Sequence, residues 1–254
     1  MKIISAVNQK GGTGKTTTVI NLAAYLSLIG RRVLIIDFDP QANASSGLGI
    51  RDLKPGIYEA LSGRSSYKDV IRKVKENLFV IPSNSDLAGA GIEMVNLEQR
   101  EKILKNFILN IPQDFDFVFI DTPPSLGLLT INSLVASSLV LIPVQAEYYA
   151  LEGLSGLLNT IKLVQDNFSS DISILGAVLT MYDERSRLPQ EVLENLYKNF
   201  PYRIFKTVIP RNIRLAEAPS FGLCIFDYNS FCRGAKAYRR LGEEFIFYLE
   251  VENK

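Results

Sequence analysis

Residues Lys10-Gly11-Gly12-Thr13-Gly14-Lys15-Thr16-Thr17 fall between two apolar patterns of different period, a few residues from the first methionine. Before them, Ile3, Ile4, Ala6 and Val7 read as a buried strand. After them, Asn21, Leu22, Ala23, Leu26 and Ile29 follow one face of a helix. A glycine-rich turn between a strand and a helix leaves backbone N–H groups free to cradle phosphate, and the helix N-terminus adds partial positive charge. Lys15 can then reach the β- and γ-phosphates, and the Thr16 hydroxyl can ligate Mg²⁺. Gln9 stands where the usual G-x-x-x-x-G-K-[ST] pattern has its first glycine, and a second lysine, Lys10, follows it.

The rest of the chain extends the strand–helix alternation. Apolar runs at Lys2–Val7, Val33–Ile36, Leu78–Ile81, Phe117–Ile120, Leu139–Val144, Ile174–Leu179 and Thr207–Ile209 predict strands. Helical spacing appears over Glu98–Ile111, Glu152–Phe168, Pro189–Phe200 and Gly234–Glu250. Several runs are nearly continuous in Val, Ile, Leu and Phe, as expected for strands covered on both faces. The expected fold is α/β: a doubly wound, mostly parallel sheet with helices on both faces, in one domain over residues 1–254. Ser45–Asn77 is the least regular stretch and is read as a small helical excursion.

Composition narrows the chemistry. The chain has no histidine, so catalysis must rest on lysine, aspartate and metal. Cys224 and Cys232, eight residues apart, match no common zinc spacing and are read as buried or neutral thiols. A net charge of +1 excludes a globally basic nucleic-acid coat and confines any such contact to a local patch. No apolar run approaches the roughly 20 residues of a membrane span, and no signal-peptide pattern opens the chain, so a cytoplasmic location is expected.

Two predicted strands end in acid, in Val33-Leu34-Ile35-Ile36-Asp37-Phe38-Asp39-Pro40-Gln41 and in Phe117-Val118-Phe119-Ile120-Asp121-Thr122-Pro123-Pro124. In a parallel sheet these ends share the ligand-binding edge. Asp121 fits the acid that holds a Mg²⁺ hydration shell, and Asp39 is placed to orient the attacking water. Asp37 could support the metal shell or the loop. Aspartate after a strand also opens turns and caps helices, so the phosphate loop is what gives these acids a common purpose.

The chain resembles the ParA/Soj partition ATPases, which carry a deviant P-loop. The resemblance rests on Asn8 through Thr18, on Asp37-Phe38-Asp39-Pro40-Gln41-Ala42-Asn43, on Asp121-Thr122-Pro123-Pro124, and on Ile209-Pro210-Arg211-Asn212 through Ser220. It implies a homodimer closed around two ATP molecules with Mg²⁺, in which Lys10 reaches the partner subunit's nucleotide while Lys15 serves its own. It implies that Pro210 and Asn212 hold adenine. It also implies a ParB-type partner that stimulates hydrolysis, and a nucleoid-associated location.

Between Asp183 and Arg240 basic residues outnumber acids, which by composition alone is a solvated face. Arg185 and Arg214 occupy places that match nonspecific DNA-binding arginines of the family, so the resemblance implies contact with double-stranded DNA. No base-reading motif is visible, so these contacts would be to phosphates. The chain begins at its first strand, where plasmid-type members often carry a helix-turn-helix extension. Its acidic ending, Glu243 to Glu252, is unlike the basic membrane-binding helix of the MinD proteins, and no membrane partner is expected. A MinD-like positioning ATPase with protein or membrane cargo and a metabolic ATP-using enzyme are the alternatives. The sequence leaves open whether the cargo is a chromosome, a plasmid or a protein assembly.

Overall fold

A parallel strand covered by helices on both faces must be apolar at every position, and the central strands of this protein are. The computed structural model describes residues 1–93, 97–147, 152–168 and 171–251. Strands β1 (Lys2–Ala6), β2 (Val33–Asp37), β3 (Arg72–Lys75), β4 (Leu78–Ile81), β5 (Phe117–Asp121), β6 (Leu139–Gln145) and β7 (Ser173–Thr180) form one seven-stranded sheet. Their order is β3-β4-β2-β5-β1-β6-β7, and every neighbouring pair is parallel except β3–β4.

The helices are α1 (Lys15–Leu28), α2 (Asn43–Gly47), α3 (Ile57–Leu61), α4 (Tyr67–Val70), α5 (Leu87–Glu93), α6 (Ile103–Leu109) and α7 (Leu128–Ala136). They continue as α8 (Glu152–Phe168), α9 (Arg187–Asn199), α10 (Ile213–Glu217), α11 (Ile225–Asn229) and α12 (Arg233–Val251). Side chains alternate across the sheet. Val33 and Ile35 of β2 join a core built with α1, α11 and α12, whereas Leu34 and Ile36 join one built with α3, α5 and α6. Under β6 and β7 a third core takes Val140, Ile142 and Val144 together with α8 and α9. Each fully buried aliphatic side chain contributes about 1.5–3 kcal/mol.

Two sequence expectations need correction. Thr207–Ile209 is not a strand. The chain there runs beside β7 through scattered bonds, such as that from the Ile209 amide to the Leu179 carbonyl, and through isolated bridges at Ala177–Ile204 and Tyr182–Pro210, and Pro210 has no N–H with which to extend a ladder. The helix expected from Glu98 starts at Ile103, after a 3₁₀ turn at Arg100–Lys102, because Gln99 lies in the left-handed region at φ 55°. One strand was not foreseen. β3 reads Arg-Lys-Val-Lys and lies on the sheet's edge, where charged residues are common. The Ser45–Asn77 excursion does contain the short helices α3 and α4.

The α1–α12 seam holds the phosphate-loop helix against the sheet. Tyr238 is buried and its hydroxyl lies 3.2 Å from that of Thr18, while the Tyr25 ring covers Gly242 so closely that a methyl there would overlap it. Gly242→Ala is therefore expected to lower stability by about 1–3 kcal/mol, read as a lower urea midpoint at unchanged m-value.

Candidate active site

The loop after β1 is shaped by two glycines in the left-handed region, Gly12 at φ 74° and Gly14 at φ 82°. Gly14 is the N-cap of α1 and supplies no side-chain cap, and the first turn of the helix holds no acid. The first amides of a 14-residue helix thus face the loop uncapped, the arrangement that binds anions. The loop is anchored from three directions. Asn8 donates through Nδ2 to the Pro143 carbonyl at 2.8 Å and accepts from the Lys10 amide at 3.0 Å. Thr180, at the tip of β7, donates to the Thr13 carbonyl at 2.8 Å. A methyl at Gly153 of α8 would lie 2.8 Å from Gln9 Nε2, so the side chain that replaces the usual first glycine sits in a notch only glycine leaves open.

The two lysines take different directions. Lys15 is 7% exposed and curls back over the loop, its Nζ donating to the carbonyls of Asn8 (3.1 Å) and Lys10 (3.3 Å). Burial lowers its pKa, and the charges of Asp121 and Asp39 work against that shift. Lys10 stays on the rim with its Nζ 3.3 Å from Glu147 Oε2, both side chains about two-fifths exposed (38% and 44%). Glu147 in turn accepts from Gln145 at 2.6 Å, at the end of β6.

The acids meet this loop at the sheet's C-terminal edge. Asp37 and Asp121 are direct register partners across β2 and β5, and both are fully buried. Asp37 is supplied with donors: the amide and hydroxyl of Ser45 reach Oδ2 at 2.8 and 2.6 Å, and the Asp39 amide reaches Oδ1 at 3.3 Å. Burial nevertheless pushes its pKa up to about 6. Asp121 stands well above the ordinary carboxylate range, first because of burial and then because of the neighbouring Asp37 charge, with Thr16 and Lys15 acting in the opposite direction. Among the described residues neither Asp121 oxygen has a formed hydrogen bond, and the buried Thr13 hydroxyl is likewise without a partner. Two orphaned carboxylate oxygens beside the Thr16 hydroxyl are a hard-oxygen donor set that fits Mg²⁺. Asp39, 7% exposed, accepts from the Gln41 amide at 2.9 Å.

Pro210 and Asn212 reach the same edge through β7. The Ile209 amide donates to the Leu179 carbonyl at 2.8 Å and the Arg211 amide to that of Tyr182 at 3.0 Å, which brings Pro210 and Asn212 beside the strand whose Thr180 holds the loop. Asn212 caps α10, its Oδ1 accepting from the Arg214 amide at 3.0 Å. Asn21 of α1 joins the two halves: its Nδ2 donates to the Thr17 carbonyl at 2.8 Å and its Oδ1 accepts from the Ile225 amide at 2.7 Å. Gly11, at the outer turn of the loop, is exposed and faces Pro124.

Arg185 and Arg214 lie outside this constellation, each a few residues from the Tyr182–Pro210 bridge. Arg185 is 89% exposed and grips Asp183 through two contacts of 2.9 Å, which hold that carboxyl down at about 2. Arg214 pairs with Glu217 at 2.8 Å, and Glu217 also accepts from the Tyr228 hydroxyl at 2.9 Å. Sequence reasoning overlooked Ser45, Thr180 and Glu147, because their partners lie 8, 167 and 137 residues away and no spacing rule links them.

Fold and site together define an ATPase with a phosphate loop on a doubly wound α/β sheet. Residues 1–174 match the family described as AAA domain. The sporulation initiation inhibitor protein Soj of Bacillus subtilis is 52% identical over 246 residues, covering 96% of this chain and 97% of that protein. The chromosome-partitioning ATPase Soj of Treponema pallidum is 48% identical over 247 residues, with 96% and 97% covered. Cobyrinic acid a,c-diamide synthase of Mycobacterium smegmatis, solved with an ATP analogue and magnesium, superposes with a TM-score of 0.88 at 33% identity over 99% of this chain and 97% of that one. The chain belongs to the ParA/Soj family of partition ATPases. Among the described residues no helix is long and apolar enough to cross a membrane.

The unpaired Asp121 charge has a consequence for stability. Its native pKa lies above the unfolded value, so the folded protein holds the proton to higher pH and loses stability as pH rises through that window. Without nucleotide or magnesium, Asp121→Asn is expected to be more stable than wild type at pH 7. That advantage should shrink toward pH 4, near the ordinary aspartate value, as the native carboxyl takes up its proton. Urea titrations at both pH values check this, and equal midpoints at pH 7 would refute it.

Proposed function

We propose that residues 1–254 act as one nucleotide-switched partition ATPase that pairs with a second copy when ATP is bound and releases it after hydrolysis. The observation that carries this reading is the divergence of the two loop lysines. Lys15 is spent inside its own cradle, while Lys10 waits on the rim beside Glu147, where a second molecule can be reached. In this reading Lys10 meets the partner subunit's phosphates as negative charge develops on the leaving group, as an arginine finger does in trans.

The other residues take roles that follow from their positions. Backbone amides from Gly11 to Thr17 and the Lys15 ammonium bind the phosphates. Thr16 and Asp121 would hold Mg²⁺, which would supply electrostatic relief for the phosphate charge. Asp39 accepts a hydrogen bond from the attacking water and aims its lone pair at the γ-phosphorus. Pro210 and Asn212 border the adenine. Because the Asn212 oxygen already accepts from the Arg214 amide, its Nδ2 group is the part offered to the base.

The ATP-bound pair holds double-stranded DNA through Arg185 and Arg214, without regard to sequence. A ParB-type protein stimulates hydrolysis and so frees the pair, with chromosome or plasmid DNA as cargo and the nucleoid of the cytoplasm as the place of action. Two arginines per subunit give four phosphate contacts per pair, so log K should fall with log salt at a slope of about −3.6, twice that of a lone subunit. The names of relatives at 48–52% identity support partition over the synthase reading, whose solved representative is 33% identical.

Expected outcomes for substituted proteins test this. With Asp39→Ala, which should trap the ATP-bound state, arbitrary duplex DNA is expected to shift in a gel with ATP–Mg²⁺ and not with ADP–Mg²⁺. Arg185→Glu and Arg214→Glu should each abolish that shift while ATP-dependent pairing persists. Absence of any shift would move the cargo from DNA to a protein or membrane surface. Lys10→Ala should retain ATP yet sediment as a single subunit, and unchanged ATP-dependent sedimentation would remove the role in trans. Lys15→Ala is expected to lose productive nucleotide binding.

A further inference from the structure

Ser45 of α2 is fully buried and joins three segments through one hydroxyl. Its Oγ donates to Asp37 Oδ2 at 2.6 Å and accepts from the Ser83 amide, just past β4, at 3.1 Å. Its own amide adds a second donor to the same carboxylate oxygen at 2.8 Å. The opposite oxygen of Asp37 receives the Asp39 amide at 3.3 Å. The turn that follows is tight: the Asp39 carboxylate takes the Gln41 amide at 2.9 Å, the Asp39 carbonyl takes the Ala42 amide at 2.9 Å, and Ala42 enters α2 in the left-handed region at φ 54°. The backbone at Asp39 is therefore tied to a relay running from Ser83 through Ser45 and Asp37.

We propose that Ser45 is a positioning residue for ATP hydrolysis, which holds Asp37 in the orientation that aims Asp39 at the attacking water. The inference rests on the reading of Asp39 given above and adds what keeps that residue in place. Alanine at position 45 would leave the Ser83 amide buried without an acceptor and Asp37 Oδ2 with one donor in place of two. Lys15, the loop amides and Thr16 bind the phosphates without touching Ser45, so nucleotide affinity and turnover separate. A small misdirection of Asp39 lowers the rate of the chemical step and leaves ATP binding intact.

The test compares steady-state hydrolysis by wild type, Ser45→Ala, Ser45→Cys, Ser45→Thr, Ser46→Ala and Asp39→Ala, each normalised to folded protein. Ser45→Cys keeps the side chain's length with a much weaker donor and serves if the alanine variant does not fold. Ser46, whose hydroxyl reaches the Asn43 carbonyl of its own helix at 3.4 Å, is the neighbouring control. The expected result is a kcat lowered about tenfold or more in Ser45→Ala and Ser45→Cys, with KM for ATP within about twofold. Ser45→Thr should recover most of kcat, and Ser46→Ala should match wild type. The proposal is overturned if the alanine and cysteine variants turn over like wild type while Asp39→Ala is inactive. It is equally overturned if threonine restores nothing. An active Asp39→Ala would overturn the reading of Asp39 itself.

Discussion

Two carboxylates that face each other in sheet register, Asp37 and Asp121, set the terms for the rest of the molecule. Burial disfavours ionisation and shifts both groups upward, and the neighbouring Asp37 charge adds to the shift at Asp121. The fold answers the two acids differently. Asp37 is surrounded by Ser45 and the Asp39 amide, whereas Asp121 keeps two oxygens without donors beside Lys15. One acid is thereby fixed as part of the scaffold and the other is left able to take a cation. Stability is sacrificed at the site where charge has to be available, and the apolar packing on both faces of β2 and β5 keeps the pair from relaxing apart.

The same edge is held together by contacts that span the chain. Thr180 fastens the loop to β7, Asn8 fastens it to β6, and the Thr122 hydroxyl donates to the Ala6 carbonyl at 2.7 Å across the β1–β5 step. A phosphate-binding loop rich in glycine is entropically costly to order. Here the cost is offset by neighbours in tertiary contact, since the loop's own residues supply few side chains that could pack.

Much of this was legible in the sequence, and the reasons are physical. Burial on both faces removes the alternation that normally marks a strand, so β2, β5, β6 and β7 announce themselves as unbroken apolar runs. The loop could be read because glycine, lysine and threonine at fixed intervals have few other uses between a strand and a helix. β3 was hidden because an edge strand with one face in water looks like any charged loop. Thr207–Ile209 misled because Val208 and Ile209 are apolar for packing against the core, while Pro210 and the bridges around it stop the segment from pairing continuously. Ser45, Glu147 and Thr180 were invisible in principle. A hydroxyl in a short helix or a glutamate after a strand gains its meaning from a partner that only the fold brings near.

The two margins of the sheet are closed in different ways. β3 presents Arg72, Lys73 and Lys75 with an irregular register against β4, and β7 is lined by the chain around Ile204 and Pro210. Strand edges are the usual route by which β-rich proteins polymerise, and like-charged or occupied edges suppress it. A molecule of this kind can be crowded together on a surface at high local density without growing fibrils from its flanks. Encounters between copies are thus steered away from open-ended stacking along the sheet edges.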